Sequence, residues 1–377
     1  MAVKKKKKTT RKKRKLIMLG FELVLLVVLL AGLYIWNLVG KIDFEDFAAE
    51  DAGINSDLSN ETLGAMKGHM NIAIFGVDNR ESGNYNGGNA DTIMIVSLNK
   101  QTKEAKIVSV YRDTLMNIGN GKYRKANAAY SAGGAKQAVQ MLNSNLDLNI
   151  TEYVCVDWKA LIEGVDALGG VEIELTSGEV QQINEYYLLE IDEAFGITSN
   201  RIAQSSGRMT LDGAQALAYA RIRKTAGDDF KRTSRQRIVI EAMLNKAKTS
   251  DVGTLLNICN AIFPDISTTL KLDEILGLAK DVKAYTISST SGFPFRLTAA
   301  NLETGDTVIP VELDNNVIEL HEYLFGATDY VPSETMQMYS NDIVRISGID
   351  ESCENIVNTS EYNDTAGQSG TDFKNQE

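Results

Sequence analysis

Two hydrophobic rhythms alternate along most of the chain. Short apolar runs rich in β-branched residues occur at Ile72–Phe75, Ile93–Val96 and in EAKIVSVY, EYVCVDW and VEIEL. Such runs read as strands. Between them lie stretches whose apolar positions recur every three or four residues. GGAKQAVQMLNSNL places Ala138, Met141, Leu142 and Leu146 on one helical face, and KALIEGVDALGG is a helix closed by glycines. LDGAQALAYARI and RTSRQRIVIEAMLNKAK are helical again. From about 70 to 330 this order predicts one large α/β domain, a layered α/β/α sandwich around a central mixed sheet.

The N-terminus breaks the rhythm. Leu16 to Val39 is an apolar run of 24 residues, roughly 36 Å as a helix and enough to span a bilayer core of about 30 Å. A cleaved signal peptide would have a shorter apolar region and a better cleavage site than Ala48-Ala49. The basic run before the span predicts a cytoplasmic N-terminus with the rest of the chain outside the cell membrane. Glu22, near the cytoplasmic end, can snorkel. The expected organisation is a basic cytoplasmic segment (1–15), one transmembrane helix (16–39), an extracellular stalk (40–69), the main domain (70–330) and a C-terminal extension (331–377), polar and disordered from about 351.

Charge sharpens this picture. The chain carries a net −11, but residues 1–40 hold ten basic residues and one acid, which leaves 29 basic against 49 acidic residues in the remainder. A body at −20 argues against nucleic acid as a partner. An anionic ligand must be met by a local basic pocket. Cys155, Cys259 and Cys353 form no framework pattern, and Cys155 lies in an apolar run as a packing residue would. His69 and His321 are far apart, too few for a histidine zinc site or a Ser-His-Asp triad.

Candidate chemistry gathers at the ends of the apolar runs. Asp78 and Arg80 stand where one strand stops, and Asp91 where the next begins, across a loop rich in glycine and asparagine. Two carboxylates so placed suit Mg²⁺, which prefers oxygen ligands; they also suit ordinary turns, where Asp is common. Arg112 and Asp113 end the third run, Arg221 and Arg223 are two apart, and Arg232, Arg235 and Arg237 follow. Arginine's planar fork matches phosphate oxygens, and several at element ends form a phosphate cradle more readily than a set of surface ion pairs.

These segments together resemble the LytR-CpsA-Psr family of bacterial cell-wall glycopolymer ligases. The resemblance is carried by NIAIFGVDNR, ADTIMIVSL, SVYRDT, KANAAYSAGG, VDWKALIEGVDALGGVEIEL, LDGAQALAYARIR, DFKRTSRQ and VIPVELDNNVIELHEYLFG, in order over about 70–326. It implies a Gram-positive type bacterium and an Mg²⁺-dependent phosphotransferase. The reaction would move a teichoic acid or capsular polysaccharide phosphate from a polyprenyl-pyrophosphate carrier to peptidoglycan. By motif, Asp78 and Asp91 correspond to the metal carboxylates. Arg80, Arg112, Lys125, Arg221, Arg223, Arg232, Arg235 and Gln236 correspond to the pyrophosphate pocket, with Arg112, Arg221 and Arg223 catalytic. Asp229 is the candidate base, although it could equally cap a helix. One departure is Tyr111, where the family has proline before RD; the tyrosine loosens the entry to the site or packs against the lipid. Aliphatic helices at 136–168 and 235–262 are candidate walls for the isoprenoid chain. Hydrolysis of the same carrier and non-catalytic sensing of lipid-linked intermediates are the competing functions.

Overall fold

The computed structural model describes residues 33, 36–77, 85, 88–223 and 228–359, with 228 and 229 described in their backbone alone. Asp78 and Arg80 lie outside these residues, as does the expected span apart from 33 and 36–39. Among the described residues no helix is long and apolar enough to cross a membrane.

The strands, in chain order, are β1 (Asp43–Phe44), β2 (His69–Val77), β3 (Ala90–Asn99), β4 (Glu104–Val110), β5 (Leu115–Asn117), β6 (Tyr123–Lys125) and β7 (Glu152–Asp157). They continue with β8 (Val171–Leu175), β9 (Gly207–Leu211), β10 (Ile266–Thr268), β11 (Thr286–Phe293), β12 (Arg296–Leu302), β13 (Gly305–Pro310) and β14 (Val357–Asn358). The helices are α1 (Asn60–Met66), α2 (Asn127–Leu146), α3 (Trp158–Ala167), α4 (Ser177–Gln182), α5 (Leu188–Phe195) and α6 (Gly213–Arg221). After them come α7 (Asp228–Thr249), α8 (Val252–Ile262), α9 (Leu272–Asp281), α10 (Leu313–Phe325) and α11 (Glu334–Ser347).

Seven strands form the central sheet in the order β1-β10-β7-β2-β3-β4-β11. The pairs β2–β3, β3–β4 and β7–β10 are antiparallel, whereas β2–β7, β4–β11 and β1–β10 are parallel. The expected α/β fold with a central mixed sheet is therefore present. Alternation along the strands gives the sheet two apolar faces. Ala73, Phe75, Ile93, Ile95 and Val108 pack on one side with α2, α10 and α11. Ile72, Leu98 and Ala105 pack on the other, against apolar residues of α9 and Tyr285. The four helical positions singled out on α2 are all buried, at 1% exposure or less.

A second core lies beside the sheet. It joins α3, α5, α6 and α7 with the two-stranded pair β8–β9 around Val165, Ile183, Leu188, Leu211 and Leu217. Its rim is apolar but only half-buried, including Trp158, Leu161, Ile162, Ile238, Met243 and Ile258. Of the two stretches expected to wall an isoprenoid chain, the α2 part belongs to the closed first core, whereas α3, α7 and α8 meet in this second one.

Both ends of the domain differ from expectation. The stretch 40–69 is not a free stalk: β1 pairs with β10, Ala52 and Met66 are buried, and Asn55 reaches the end of α2. At the other end α11 buries Met336 and Ile343 in the first core, and β14 pairs with β12, so the expected disorder does not begin at 351; residues 360–377 lie outside the described residues. Polar composition misled here because these segments attach through a few deep contacts. The deepest is Asp147, a left-handed residue (φ 51°) capping α2 and fully buried. Its carboxylate accepts from Asn55 Nδ2 (2.6 Å), Tyr330 Oη (2.6 Å), and the Ser333 hydroxyl (2.7 Å) and backbone N–H (2.8 Å). His321 stacks on Tyr330 at 3.7 Å and bonds the Leu146 carbonyl through Nε2 at 3.0 Å. Burial pushes its pKa down to about 4.

Candidate functional site

Backbone irregularities place the polar residues. Where β2 meets β3, Gly76 pairs with Thr92 but Val77 with Ala90, so Asp91 is the extra residue of a bulge. Bulges re-aim a side chain at a sheet end. Arg112 follows β4 by two residues and is held by a bond from Asn127 N to its carbonyl at 3.0 Å. The third contribution comes from α6, begun by an Asp212/Gln215 capping box. The helix stops when Ile222 adopts an extended conformation (φ −55°, ψ 125°). Ile222 is fully buried, whereas Arg221 and Arg223 on either side of it keep part of their surface exposed.

The result is a continuous chain of alternating charge. Arg223 lies 3.5 Å from one Asp91 oxygen, and Arg112 Nη1 lies 2.5 Å from the other. Arg112 Nε is 3.4 Å from Asp113, whose other oxygen is 3.1 Å from Lys125 Nζ. Arg221 stands next to this chain in sequence with different partners. Its guanidinium sits over the Trp158 ring at 4.0 Å, lies 5.9 Å from the Tyr187 ring, and pairs with the exposed Glu190 at 3.2 Å. Tyr187 also accepts the Arg223 backbone N–H at 2.8 Å. Trp158 reaches the site because Asp157 caps α3 directly at the end of β7, in register with Val77 of β2.

Thus Asp91, Arg112, Lys125, Arg221 and Arg223 are brought to one edge of the sheet. The RxxRQ residues stand behind it. Arg235 is 6% exposed, binds Glu179 at 2.9 Å and donates to the Ile222 carbonyl at 3.3 Å, so it buttresses the extended turn. Arg232 and Arg237 are also buried, and burial lowers the Arg237 pKa. The Gln236 Oε1 is buried with no hydrogen-bond partner among the described residues. Tyr111 is buried at 2% exposure, edge-on to Phe230 at 4.7 Å, and fills the space left by Gly292, where a β-carbon would collide with its hydroxyl. It therefore packs inside the protein, and its N–H bonds the Phe293 carbonyl at 3.0 Å, which fixes the entry to Arg112 without proline. The side chain of Asp229 lies outside the described residues, on the first turn of α7.

Sequence reasoning missed Trp158, Tyr187, Glu190 and Glu179 as partners of the arginines. Trp158 directly follows a helix-capping aspartate at a strand end, a signal available in VDW; the acids on α4 and α5 carry none. No cluster of three or more metal-ligating side chains occurs among the described residues. Asp91 is one carboxylate, a quarter exposed, with both oxygens turned to guanidinium groups. A carboxylate oxygen is the donor type Mg²⁺ takes, and Asp91 would supply one such ligand.

The chain is thus an α/β domain with a cluster of arginines at its strand ends, beside a half-buried apolar shell. The LytR_cpsA_psr family model matches residues 43–310, and the chain belongs to that family. Similar proteins include a polyisoprenyl-teichoic acid–peptidoglycan teichoic acid transferase, TagV, of Bacillus subtilis. It is 30% identical over 277 residues, 72% of this chain and 67% of TagV. The corresponding TagU of Enterococcus faecalis is 30% identical over 57% of this chain and 66% of its own length. Crystalline B. subtilis TagV superposes with a TM-score of 0.56 at 24% identity, covering 71% of this chain and 99% of that one. A TagT structure with bound octaprenyl pyrophosphate lipid gives 0.51 at 21% identity, covering 72% and 97%.

Proposed function

We propose that this protein is a phosphotransferase that moves a teichoic acid or related glycopolymer phosphate from a polyprenyl-pyrophosphate carrier to peptidoglycan. The observation that carries this reading is the convergence of Arg112, Arg221 and Arg223 beside a shell of half-buried apolar helices. The arginines would neutralise pyrophosphate oxygens, and α3, α7 and α8 would sheath the isoprenoid chain. Phosphoryl transfer depends on positioning and charge stabilisation more than on covalent help.

In the reaction an acceptor hydroxyl oxygen attacks the phosphorus that bears the glycan. The bond from that phosphorus to the bridging oxygen breaks, and polyprenyl phosphate leaves with the electron pair. Arg221, oriented by Trp158 and Glu190, would stabilise the charge on the leaving group; Arg112 and Arg223 would hold the transferring group. The acceptor proton would pass to a carboxylate, for which Asp229 is the nominee. Mg²⁺ held by Asp78 and Asp91 would supply further neutralisation of pyrophosphate charge. Anchoring through residues 16–39, with the domain outside the membrane, would bring the site to its lipid substrate.

The test uses the full chain in lipid nanodiscs with Mg²⁺, a polyprenyl-pyrophosphate oligosaccharide and a peptidoglycan acceptor, followed by mass spectrometry. Acceptor-dependent glycan phosphate is expected, and Arg221→Ala should reduce its formation about a thousandfold, as loss of a charge-stabilising donor does. Glycan phosphate released without an acceptor would mark a hydrolase, and binding without turnover would mark a sensor. Removing Mg²⁺ with EDTA should abolish transfer; full activity in EDTA would eliminate the metal from the reading.

A further inference from the structure

We propose that a pocket beside Lys125 is a subsite for a hydroxyl-rich anionic saccharide chain flanking the reacting pyrophosphate, an inference that rests on the transferase reading. The pocket has a volume of about 320 Å³ and is lined by Arg124, Lys125, Asn127, Ala128, Glu303 and Thr304.

Continuity is the first argument. Lys125 ends the ion-pair chain that begins at Arg223, so the pocket opens where the phosphate cradle stops. The second argument is charge. On β6 the side chains alternate: Tyr123 turns inward with its hydroxyl on Asp342 at 2.8 Å, while Arg124 is exposed. Among the described residues the Arg124 guanidinium bonds only its neighbour's carbonyl, at 3.0 Å, and no carboxylate pairs with it. In a body with such an excess of acid, a cation left without a carboxylate is available to an external anion.

The third argument is rigidity. The opposite wall, Glu303 and Thr304, belongs to the β12–β13 turn, where the Thr304 and Thr307 hydroxyls bond at 2.8 Å. This hairpin is fastened to the site itself: Val308 N donates to the Asp113 carbonyl at 2.9 Å, and Val308 bridges Thr114. Both walls therefore keep a fixed relation to Arg112 and Asp113. Guanidinium, ammonium, amide and hydroxyl groups suit an anion with neighbouring hydroxyls, Glu303 can accept from a sugar hydroxyl, and the lining has no aromatic ring for a lipid tail.

Such an anion could belong to the donor polymer, as a phosphodiester, or to the peptidoglycan acceptor, as a stem-peptide carboxylate. Calorimetric titration of the full chain in nanodiscs separates the two, using a glycerol-phosphate hexamer, a peptide-bearing peptidoglycan tetrasaccharide and a neutral glucose hexamer. One anionic probe should bind, which identifies the source, and the glucose hexamer should not. Arg124→Glu should weaken that binding by about tenfold, since an attraction becomes a repulsion at a partly solvated site. Lys280→Glu, the same charge change at an exposed position on α9, should leave it unaltered. The subsite is overturned if wild type binds neither anion, if glucose hexamer binds equally, or if the two variants behave alike. Arg124-dependent binding in a protein that transfers nothing would reject the transferase and keep the subsite. Full transfer with binding insensitive to Arg124 would do the reverse.

Discussion

The two cores are built from similar residues and finished differently. On the α2 side of the sheet, Phe75, Ile95, Leu142 and Val317 are wholly removed from solvent, and facing side chains close the space. In the helical shell, Trp158, Ile162, Ile238, Met243 and Ile258 keep part of their surface exposed, and α8 buries no residue fully despite its apolar sequence. Apolar surface left open costs stability, so a shell of this kind is informative about function where a filled core is not. The closed core packs beneath the strands that lead to Asp91 and Arg112; the open one lies against Arg221 through Trp158.

The comparison can be broken at several points. The largest effect is expected at Asp147, where Asp147→Ala strands four buried donors; thermal and denaturant unfolding should report a loss of about 4 kcal/mol or more. A loss under 1 kcal/mol would mean that the C-terminal helices hold without it. Next, Leu142→Ala in the closed core should cost about 3 kcal/mol, whereas Ile258→Ala in the open one should cost nearer 1 kcal/mol. Only the second should raise the KM for a polyprenyl donor. Equal stability losses with an unchanged donor KM would make the shell ordinary packing.

A smaller effect concerns pH. His321 is buried neutral, with its folded pKa lowered from 6.5 to about 4. The unfolded chain takes up this proton first, so the stabilisation is complete above pH 6.5 and declines as pH falls toward 4. By pH 5 the difference is about 2 kcal/mol. His321→Phe, which retains a ring against Tyr330, should remove that share of the slope between pH 6.5 and 4. An unchanged slope would assign the acid sensitivity to carboxylates instead.

Much of this architecture was legible because it rests on periodicity. The strands β2, β3, β4, β7 and β8 and the buried face of α2 follow from apolar spacing alone, whereas the break of the helix at Ile222, which separates Arg221 from Arg223, had no such signal. Arg232 and Arg235 show where such reading stops. A basic motif looks the same whether it meets a ligand or braces the backbone that does, and only the Glu179 partner on α4 separates the cases. The supposed stalk failed for a related reason. Asn55 and Ser333 are unremarkable polar residues until folding brings them to one carboxylate.

That carboxylate also bears on how the molecule comes into being. Asp147 draws partners from 92 residues upstream and 186 residues downstream. Contacts of such long sequence separation form late, after local elements have condensed. During vectorial synthesis, the sheet can assemble as its strands emerge, yet the buried Asp147 carboxylate lacks two of its donors until Ser333 has followed, and β12 lacks its β14 partner until Asn358 has. A nascent chain halted at residue 310, where the family match ends, would possess every arginine of the cradle and still expose the apolar face that α10 and α11 are meant to cover. Such a fragment would be a client for chaperones and proteases, and residues 311–359 act as the fold's closing step.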